Sequence, residues 1–96
     1  MEFVIGIYSA PGSSGAQAAY RFILSLLKKN HGISQIFFYE QGIAHADISS
    51  DFLNLNVPLA ICSTLKPIPA QKKIKPLSLT QYIHAILNAD RHVIFR

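Results

Sequence analysis

The stretch F-V-I-G-I-Y at residues 3–8, followed by the turn S-A-P-G-S-S-G at residues 9–15, decides the fold of this chain. A short apolar run without polar alternation is typical of a strand buried on both faces of a parallel sheet. Behind the turn, small and apolar residues recur at helical spacing between residues 16 and 27. The chain is therefore predicted to begin as strand, loop and helix, the first half of a parallel β-α-β unit.

The ends of this first helix carry local signals. Ser14 and Gln17 have the spacing of a capping box, in which each side chain satisfies a backbone donor of the first turn. Lys28 and Lys29 supply a basic last turn, and Gly32 is expected to end the helix.

Two further strands are predicted from apolar runs rich in aromatic and branched residues. They are S-Q-I-F-F-Y at residues 34–39, which ends at Gly42, and V-P-L-A-I-C at residues 57–62. Between them, residues 43–53 are compatible either with one helix or with a short irregular segment, because polar residues cluster there.

The segment K-P-I-P-A-Q-K-K-I-K-P at residues 66–76 carries three prolines and four lysines. Proline removes a backbone donor and blocks helix, so an exposed loop is predicted. Its lysines are interpreted either as an ordinary solvated surface or as a site for phosphate or an acidic partner. Because the loop contains no aromatic residue that would stack on a base, no direct binding of nucleic acid is expected.

A second helix is predicted to begin at Ser78, where Gln81 completes a capping box and Leu77 with Tyr82 forms a hydrophobic staple. Its apolar face is expected to consist of Leu79, Tyr82, Ile83, Ile86 and Leu87. Residues 92–95 follow as the last strand.

Strands separated by helices predict an α/β protein with right-handed crossovers and a mostly parallel sheet of four or five strands. Residues 1–96 are expected to form a single domain, since 96 residues cannot support two cores. Two helices are too few to cover both faces of such a sheet. We therefore expect a bare face or edge to meet another subunit.

Composition excludes several classes of protein. Half of the residues are apolar and 15% are charged, which excludes general disorder. The net charge of +4 is too small to identify a partner. A lone cysteine excludes an internal disulfide, and the four histidines show no metal-site spacing with it, so neither metal nor cofactor is predicted. The apolar runs are too short or too interrupted for a signal or membrane segment, which favours a cytoplasmic protein.

Chemistry in a parallel sheet is expected at the carboxyl ends of the strands, which here means residues 9–15, 39–42 and 62–66. Residues 9–15 are interpreted either as a structural turn or as an anion site at a helix amino terminus. They lack the Gly-Lys-Ser/Thr ending of a P-loop and the spacing of a dinucleotide fingerprint.

Cys62 is the sharpest candidate, because it ends the third strand at this edge. Backbone N–H groups of residues 63–65 and the ammonium of Lys66 are placed to favour its thiolate. The alternative is a small buried side chain that only packs, since free cysteine is among the most buried residue types. No histidine is assigned a role.

Four segments together resemble the DsrE family, and in particular its TusD-type sulfurtransferase subunits. They are M-E-F-V-I-G-I-Y-S-A-P-G, S-G-A-Q-A-A-Y-R-F, I-S-Q-I-F-F-Y-E-Q-G-I-A-H-A-D and L-A-I-C. The likeness covers residues 1–47, 57–62 and 77–95. The chain departs from the family in a shorter stretch between residues 47 and 57, and in the loss of the helix that normally follows the cysteine.

The resemblance implies a small three-layer DsrE-like (flavodoxin-like) fold. It implies a cytoplasmic sulfur-relay protein in which Cys62 carries a persulfide, as in tRNA 2-thiouridine synthesis or sulfur oxidation. It also implies sulfur-carrier proteins and sister DsrE-fold subunits as partners, in a homo- or hetero-oligomer. The alternatives are a non-catalytic structural subunit of such an oligomer, and a small anion- or flavin-binding module on residues 9–15. Against flavin, the chain is short and has no tryptophan to stack on the ring.

Overall fold

The computed structural model describes residues 1–46, 51–63 and 73–96. The elements in chain order are β1 (Glu2–Ile7), α1 (Ser14–Lys28), β2 (Gly32–Phe38), a 3-10 helix (Glu40–Ala46), a second 3-10 helix (Asp51–Asn54), β3 (Leu59–Cys62), β4 (Ile74–Leu77), α2 (Leu79–Asn88) and β5 (Arg91–Phe95). The α/β class expected from the alternation of patterns is confirmed.

One sheet contains all five of these strands, in the order β4-β3-β2-β1-β5. Every neighbouring pair is parallel. Helix α1 joins β1 to its neighbour β2, whereas α2 carries the chain from β4 at one edge to β5 at the other. Because such crossovers are right-handed and these two run in opposite directions, the helices lie on opposite faces. The result is the expected three-layer arrangement.

The larger core lies between the sheet and α1. It contains buried side chains of β1, α1, β2, β3, β4 and the segment before β3, namely Phe3, Ile5, Ile7, Ala19, Ile23, Leu26, Ile33, Ile36, Phe38, Phe52, Leu55, Leu59, Ile61 and Ile74. Apolar residues of each strand alternate between this face and the other, so both faces of the central strands are buried.

The smaller core lies between the sheet and α2. Its buried members are Val4, Phe37, Ala60, Cys62 and Tyr82. Tyr82 is the one buried side chain of α2, whereas Leu79, Ile83 and Leu87 are 40%, 52% and 76% exposed. The predicted apolar face of α2 is thus only partly used by this chain. The sheet residues of this core are buried, so the exposed apolar surface on this side belongs mostly to α2 itself, and the expected bare face stays a prediction.

The amino end of α1 differs from the prediction. Ser13, not Ser14, is the N-cap, and its Oγ accepts a hydrogen bond of 3.2 Å from the N–H of Ala16. Gln17 is therefore one position too late to close a capping box, and its Nε2 donates to the carbonyl of Gly12 instead. Two adjacent serines offered two possible caps, and the extended backbone of Ser13 decides between them.

The carboxyl end of α1 also differs, because Asn30 and not Gly32 takes the left-handed backbone conformation, with φ of 63°. Asparagine tolerates this region better than other non-glycine residues. Gly32, which was expected to end the helix, is instead the first residue of β2.

Between β2 and β3, the single helix considered for residues 43–53 is replaced by the two 3-10 helices, and residues 47–50 lie outside the described residues. The third strand begins at Leu59, two residues later than predicted, because Pro58 has no N–H to donate; its carbonyl accepts from the N–H of Ile36.

The exposed loop predicted for residues 66–76 is wrong at its end, where residues 74–76 belong to β4. Ile74 is buried and pairs with Leu59, and Pro76 pairs with Ile61. Proline is tolerated there because β4 is an edge strand of the described sheet, and none of the described strands pairs with its outer side. Residues 64–72 lie outside the described residues.

Candidate functional site

The carboxyl ends of the parallel strands lie along one edge of the sheet, and the segments expected to carry chemistry follow β1, β2 and β3 there. The structure separates them into two places. Cys62 lies on the face covered by α2, and the turn after β1 opens into a cleft at the amino end of α1.

Cys62 is the last residue of β3 and is 1% exposed. It belongs to the smaller core together with Val4, Phe37, Ala60 and Tyr82. The sulfur therefore lies at the end of the strand, where the sequence predicts a reactive site, but apolar side chains close it off from solvent.

A backbone donor next to Cys62 is already hydrogen-bonded. The N–H of Ser63, one of the donors expected to favour a thiolate, donates to the carbonyl of Leu77 at 3.0 Å. This bond continues the pairing of β3 with β4, in which Cys62 lies opposite Leu77. Residues 64 and 65 and the ammonium of Lys66 lie outside the described residues, so their part in the site stays a prediction.

Tyr82 is the buried side chain that α2 contributes to the smaller core. Its ring stacks on Phe37 with centroids 4.0 Å apart, and its hydroxyl shares a hydrogen bond of 2.6 Å with Nε2 of His92. Gly6 of β1 makes room for this arrangement, because a Cβ there would lie 2.6 Å from the Tyr82 hydroxyl. Burial, then interaction with Tyr8, raises the pKa of Tyr82 far above its usual range, so the phenol stays protonated. Burial lowers the pKa of His92.

The turn after β2, which carries the F-F-Y-E-Q-G-I motif, packs directly on the end of β1. The N–H of Gly42 donates to the carbonyl of Tyr39, and a Cβ on Gly42 would overlap the carbonyl of Ile7. Glu40 adopts a positive φ of 53°, an uncommon conformation for a residue with a side chain. The motif thus allows the turn after β2 to pack closely against the end of β1, which places Glu40 there.

His45, for which the sequence predicts no role, links the segment after β2 to the segment after β1. Its Nε2 donates to the carbonyl of Ser9 at 3.2 Å, and its ring stacks on Phe38. It is 2% exposed, and its Nδ1 has no hydrogen-bond partner among the described residues. Burial lowers the pKa of His45, and the bond to Ser9 offsets part of that effect. No local pattern signals this role, because the two residues are 36 apart in sequence.

A cleft of about 480 Å³ lies at the amino end of α1. The end of β1, the turn after it, the turn after β2 and the end of β5 contribute its walls: Tyr8, Ser9, Ala10, Ser13, Ser14, Gly15, Glu40, Gln41 and Arg96. The guanidinium carbon of Arg96 lies 5.4 Å from the centroid of the Tyr8 ring. Of the segments singled out in the sequence, residues 9–15 and the turn after β2 meet here, and Cys62 does not take part.

Within the described residues, no group of three or more His, Cys, Asp or Glu side chains is arranged to hold a metal ion. Neither helix in the described part of the chain combines the length and apolar character needed to cross a bilayer.

The same fold occurs in the crystal structure of the ychN protein from E. coli. The two agree with a TM-score of 0.76 over 98% of this chain and 97% of that one, and the 16% sequence identity restricts the likeness to the fold. The five-stranded parallel sheet with a helix on each face therefore defines an α/β protein of this class.

The curated relatives identify the family. The chain is 33% identical to the sulfurtransferase TusD homolog of Haemophilus influenzae, over 95% of this chain and 97% of that protein. It is 35% identical to the sulfurtransferase TusD of Proteus mirabilis over 66 residues, 53% of this chain and 51% of that protein. No protein-family model matches the chain. The chain belongs to the TusD-like sulfurtransferases of the DsrE family, which confirms the resemblance stated from its segments.

The alignment with the Haemophilus influenzae protein extends over 122 positions, whereas this chain has 96 residues. The chain therefore lacks segments that its relative has. The places predicted for these losses, before β3 and directly after Cys62, both flank the thiol.

Proposed function

We propose that this chain carries sulfane sulfur as a persulfide on Cys62 and passes it between proteins of a cytoplasmic sulfur relay, with residues 1–96 acting as one domain. Membership of a sulfurtransferase family supports the proposal. The observation that carries it is the position of Cys62, the only cysteine of the chain, at the carboxyl end of β3. Reactive groups of parallel sheets collect at this edge.

The chemistry is thiol exchange in two steps. First, the Cys62 thiolate attacks the outer sulfur of a donor persulfide; the new S–S bond forms as the donor's S–S bond breaks, and the donor sulfur leaves as a thiolate that takes up a proton. Second, an acceptor thiolate attacks the outer sulfur now held on Cys62 and releases the Cys62 thiolate. The transferred sulfur keeps its oxidation state, so no oxidant or reductant is needed. With one cysteine in the chain, donor and acceptor are other proteins.

Access to the thiol is the physical requirement of this proposal, since Cys62 is 1% exposed. The cover is α2, which buries Tyr82 and leaves Ile83 and Leu87 in solvent. An element held by few buried apolar contacts opens at a lower free energy than the rest of the fold. We expect the α2 face to open when a partner docks, and to close again over the loaded or empty thiol.

The proposed partners are sulfur-carrier proteins and sister subunits of the same fold, in a homo- or hetero-oligomer. The exposed apolar side chains of α2, together with Ile94 of β5 at 41% exposure, support this assignment because they offer contiguous elements for a neighbour to cover. The proposed pathways are 2-thiolation of the tRNA wobble uridine and sulfur oxidation.

The burial of Cys62 also favours a second candidate, a structural subunit of such an oligomer whose thiol does not react. The two functions differ in one measurable respect. A carrier acquires sulfur on Cys62 in the assembled state, whereas a structural subunit keeps an unmodified thiol there.

The experiment that separates them is incubation of the native protein, alone and with its co-purified partners, with a persulfide donor, followed by intact-mass spectrometry. The carrier gains the mass of one sulfur atom, and dithiothreitol removes it. Cys62→Ser and Cys62→Ala are the matched controls, and neither gains the adduct.

Two results would contradict the carrier function. One is an adduct that persists in both Cys62 variants. The other is no adduct on the native protein, alone or with partners, while the same thiol reacts with the donor after unfolding in urea. The second result supports the structural subunit.

A further inference from the structure

We propose that the cleft at the amino end of α1 binds a tetrahedral oxyanion of the phosphate or sulfate type, free or carried on a small organic group. This site is separate from Cys62. The cleft volume of about 480 Å³ lies in the range of small-molecule sites and exceeds what a bare oxyanion fills. Space is therefore available for an attached group beside the anion.

Two residues that line this cleft carry backbone donors with no partner among the described residues. Ser13 caps the N–H of Ala16, and the N–H of Gln17 bonds to the Ser13 carbonyl, but among the described residues no acceptor is found for the N–H groups of Ser14 and Gly15. Both residues line the cleft. Free N–H groups at the start of a 15-residue helix favour an anion through hydrogen bonds and through the helix dipole.

Ser9 supplies an independent observation. It is 6% exposed, it forms part of the cleft wall, and its Oγ has no hydrogen-bond partner among the described residues. This hydroxyl is directed at the first turn of α1, since a Cβ on Gly15 would lie 2.9 Å from it. A buried hydroxyl without a partner is costly, and an oxyanion oxygen in the cleft is the acceptor that it lacks.

Charges around the cleft act in both directions. Arg96 brings a guanidinium to the wall, held over the ring of Tyr8. Against it stand the carboxylate of Glu40, and the main-chain carbonyl of Arg96, which packs so closely on Gly15 that a Cβ there would overlap it. Because the Glu40 carboxylate and the Arg96 main-chain oxygen oppose the guanidinium and the N–H donors, we expect a weak site with a Kd of about 1 mM for inorganic phosphate.

The test is a titration of the isotope-labelled full chain with sodium phosphate against sodium chloride, at constant pH and ionic strength, followed by amide NMR. The expected result is saturable shifts of the Ser14 and Gly15 N–H signals. Arg96→Gln weakens binding about tenfold, and Ser9→Ala weakens it about fivefold without lowering stability, because the removed hydroxyl had no partner. Sulfate is expected to compete with phosphate.

The controls are Arg91→Gln, at the other end of β5, and Ser25→Ala, an exposed serine of α1; both retain the parent affinity. Cys62→Ser also retains it, which separates this site from the proposed sulfur transfer. Glycerol phosphate that binds more tightly than phosphate identifies an esterified ligand, and equal or weaker binding identifies the free oxyanion. Linear, non-saturating shifts, or equal binding by Arg96→Gln, Ser9→Ala and their controls, would overturn the proposal.

Discussion

The ring of Tyr82 in α2 lies parallel to the ring of Phe37 in β2, with 4.0 Å between centroids and 14° between planes. Cys62 belongs to the same small core, on the neighbouring strand β3. Tyr82 is the one buried side chain of α2, so this stacked pair attaches the helix to the sheet, beside the partly buried Ala85 and Ile86. We therefore expect the accessibility of the sulfur to follow the stability of α2 on the sheet.

Weakening this pair is expected to expose the thiol. The Tyr82→Leu variant loses the stacked ring, so α2 is expected to open more often. If the free energy of opening falls by about 1.4 kcal/mol, the open population rises about tenfold. The alkylation rate of Cys62 in the native protein measures this, under conditions where circular dichroism shows the folded state. His84→Leu, at an exposed position of the same helix, keeps the parent rate. Equal rates for the Tyr82 and His84 variants would show that α2 is not the cover.

The hydrogen bond between Tyr82 and His92 is expected to stabilise the closed state. Tyr82→Phe keeps the stacked ring but leaves Nε2 of His92 without its partner, which lowers the free energy of unfolding by about 1 kcal/mol. Urea denaturation of Tyr82→Phe, His92→Ala and the double variant measures the coupling. A double variant whose loss equals the sum of the single losses argues against the bond.

Acid is expected to destabilise the fold through His45. Burial lowers its pKa in the folded protein below its ordinary value of 6.5. Above about pH 6.5 the imidazole is neutral in both the folded and the unfolded chain, and the fold keeps its full stability. As the pH falls through the lower pKa of the folded state, the unfolded chain binds the proton more readily, and that stability is lost. His92, whose pKa is also lowered, adds an effect of the same sign.

Urea unfolding of the parent between neutral and mildly acidic pH is expected to show falling stability. His45→Gln shows a shallower dependence, because one of the two histidines that resist protonation is gone. His84→Gln, at an exposed position of α2, is the matched control variant. A His45→Gln profile parallel to that of the parent would rule out a contribution from this imidazole.

Close packing at Gly42 is expected to exclude any side chain. Gly42→Ala places a methyl group onto the carbonyl of Ile7, so the turn after β2 must shift, at a cost of about 3 kcal/mol. Gly12→Ala is the matched control: its methyl meets open space, and the positive φ of 82° alone costs about 1 kcal/mol. The two unfolding free energies provide the comparison. Equal losses would mean that the crossing on β1 is looser than the structure shows.

The exposed side of α2 is expected to contact the proposed sister subunits. Ile83→Glu places a charge on the apolar surface and weakens association at least about tenfold, because burying an unpaired carboxylate is costly. Sedimentation velocity of the chain with its co-purified partners measures this. His84→Glu introduces the same charge one residue along the helix and serves as the control. Unchanged assembly of Ile83→Glu would place the interface elsewhere.

Much of the secondary structure could be predicted from the sequence because its signals are local. Ser78 and Gln81 close the predicted capping box at the start of α2. The cap of α1 was misplaced by one residue, because Ser13 and Ser14 are equivalent as local signals. The strand at residues 74–77 was missed because its pairing with β3 is a long-range contact, while lysine and proline dominate its local pattern.

The sequence by itself determined the α/β class and the place of Cys62 at the end of a strand, since both follow from residue type and spacing along the chain. The family was indicated separately, by the resemblance of whole segments to known members. Only the tertiary structure decided that Tyr82 packs in one core with this thiol, that His45 holds the carbonyl of Ser9, and that Ser9 joins Arg96 in one cleft. The physical reason is that these contacts depend on the order of the strands and on the face that each helix crosses. Both are properties of the packed sheet and are not encoded in any local pattern.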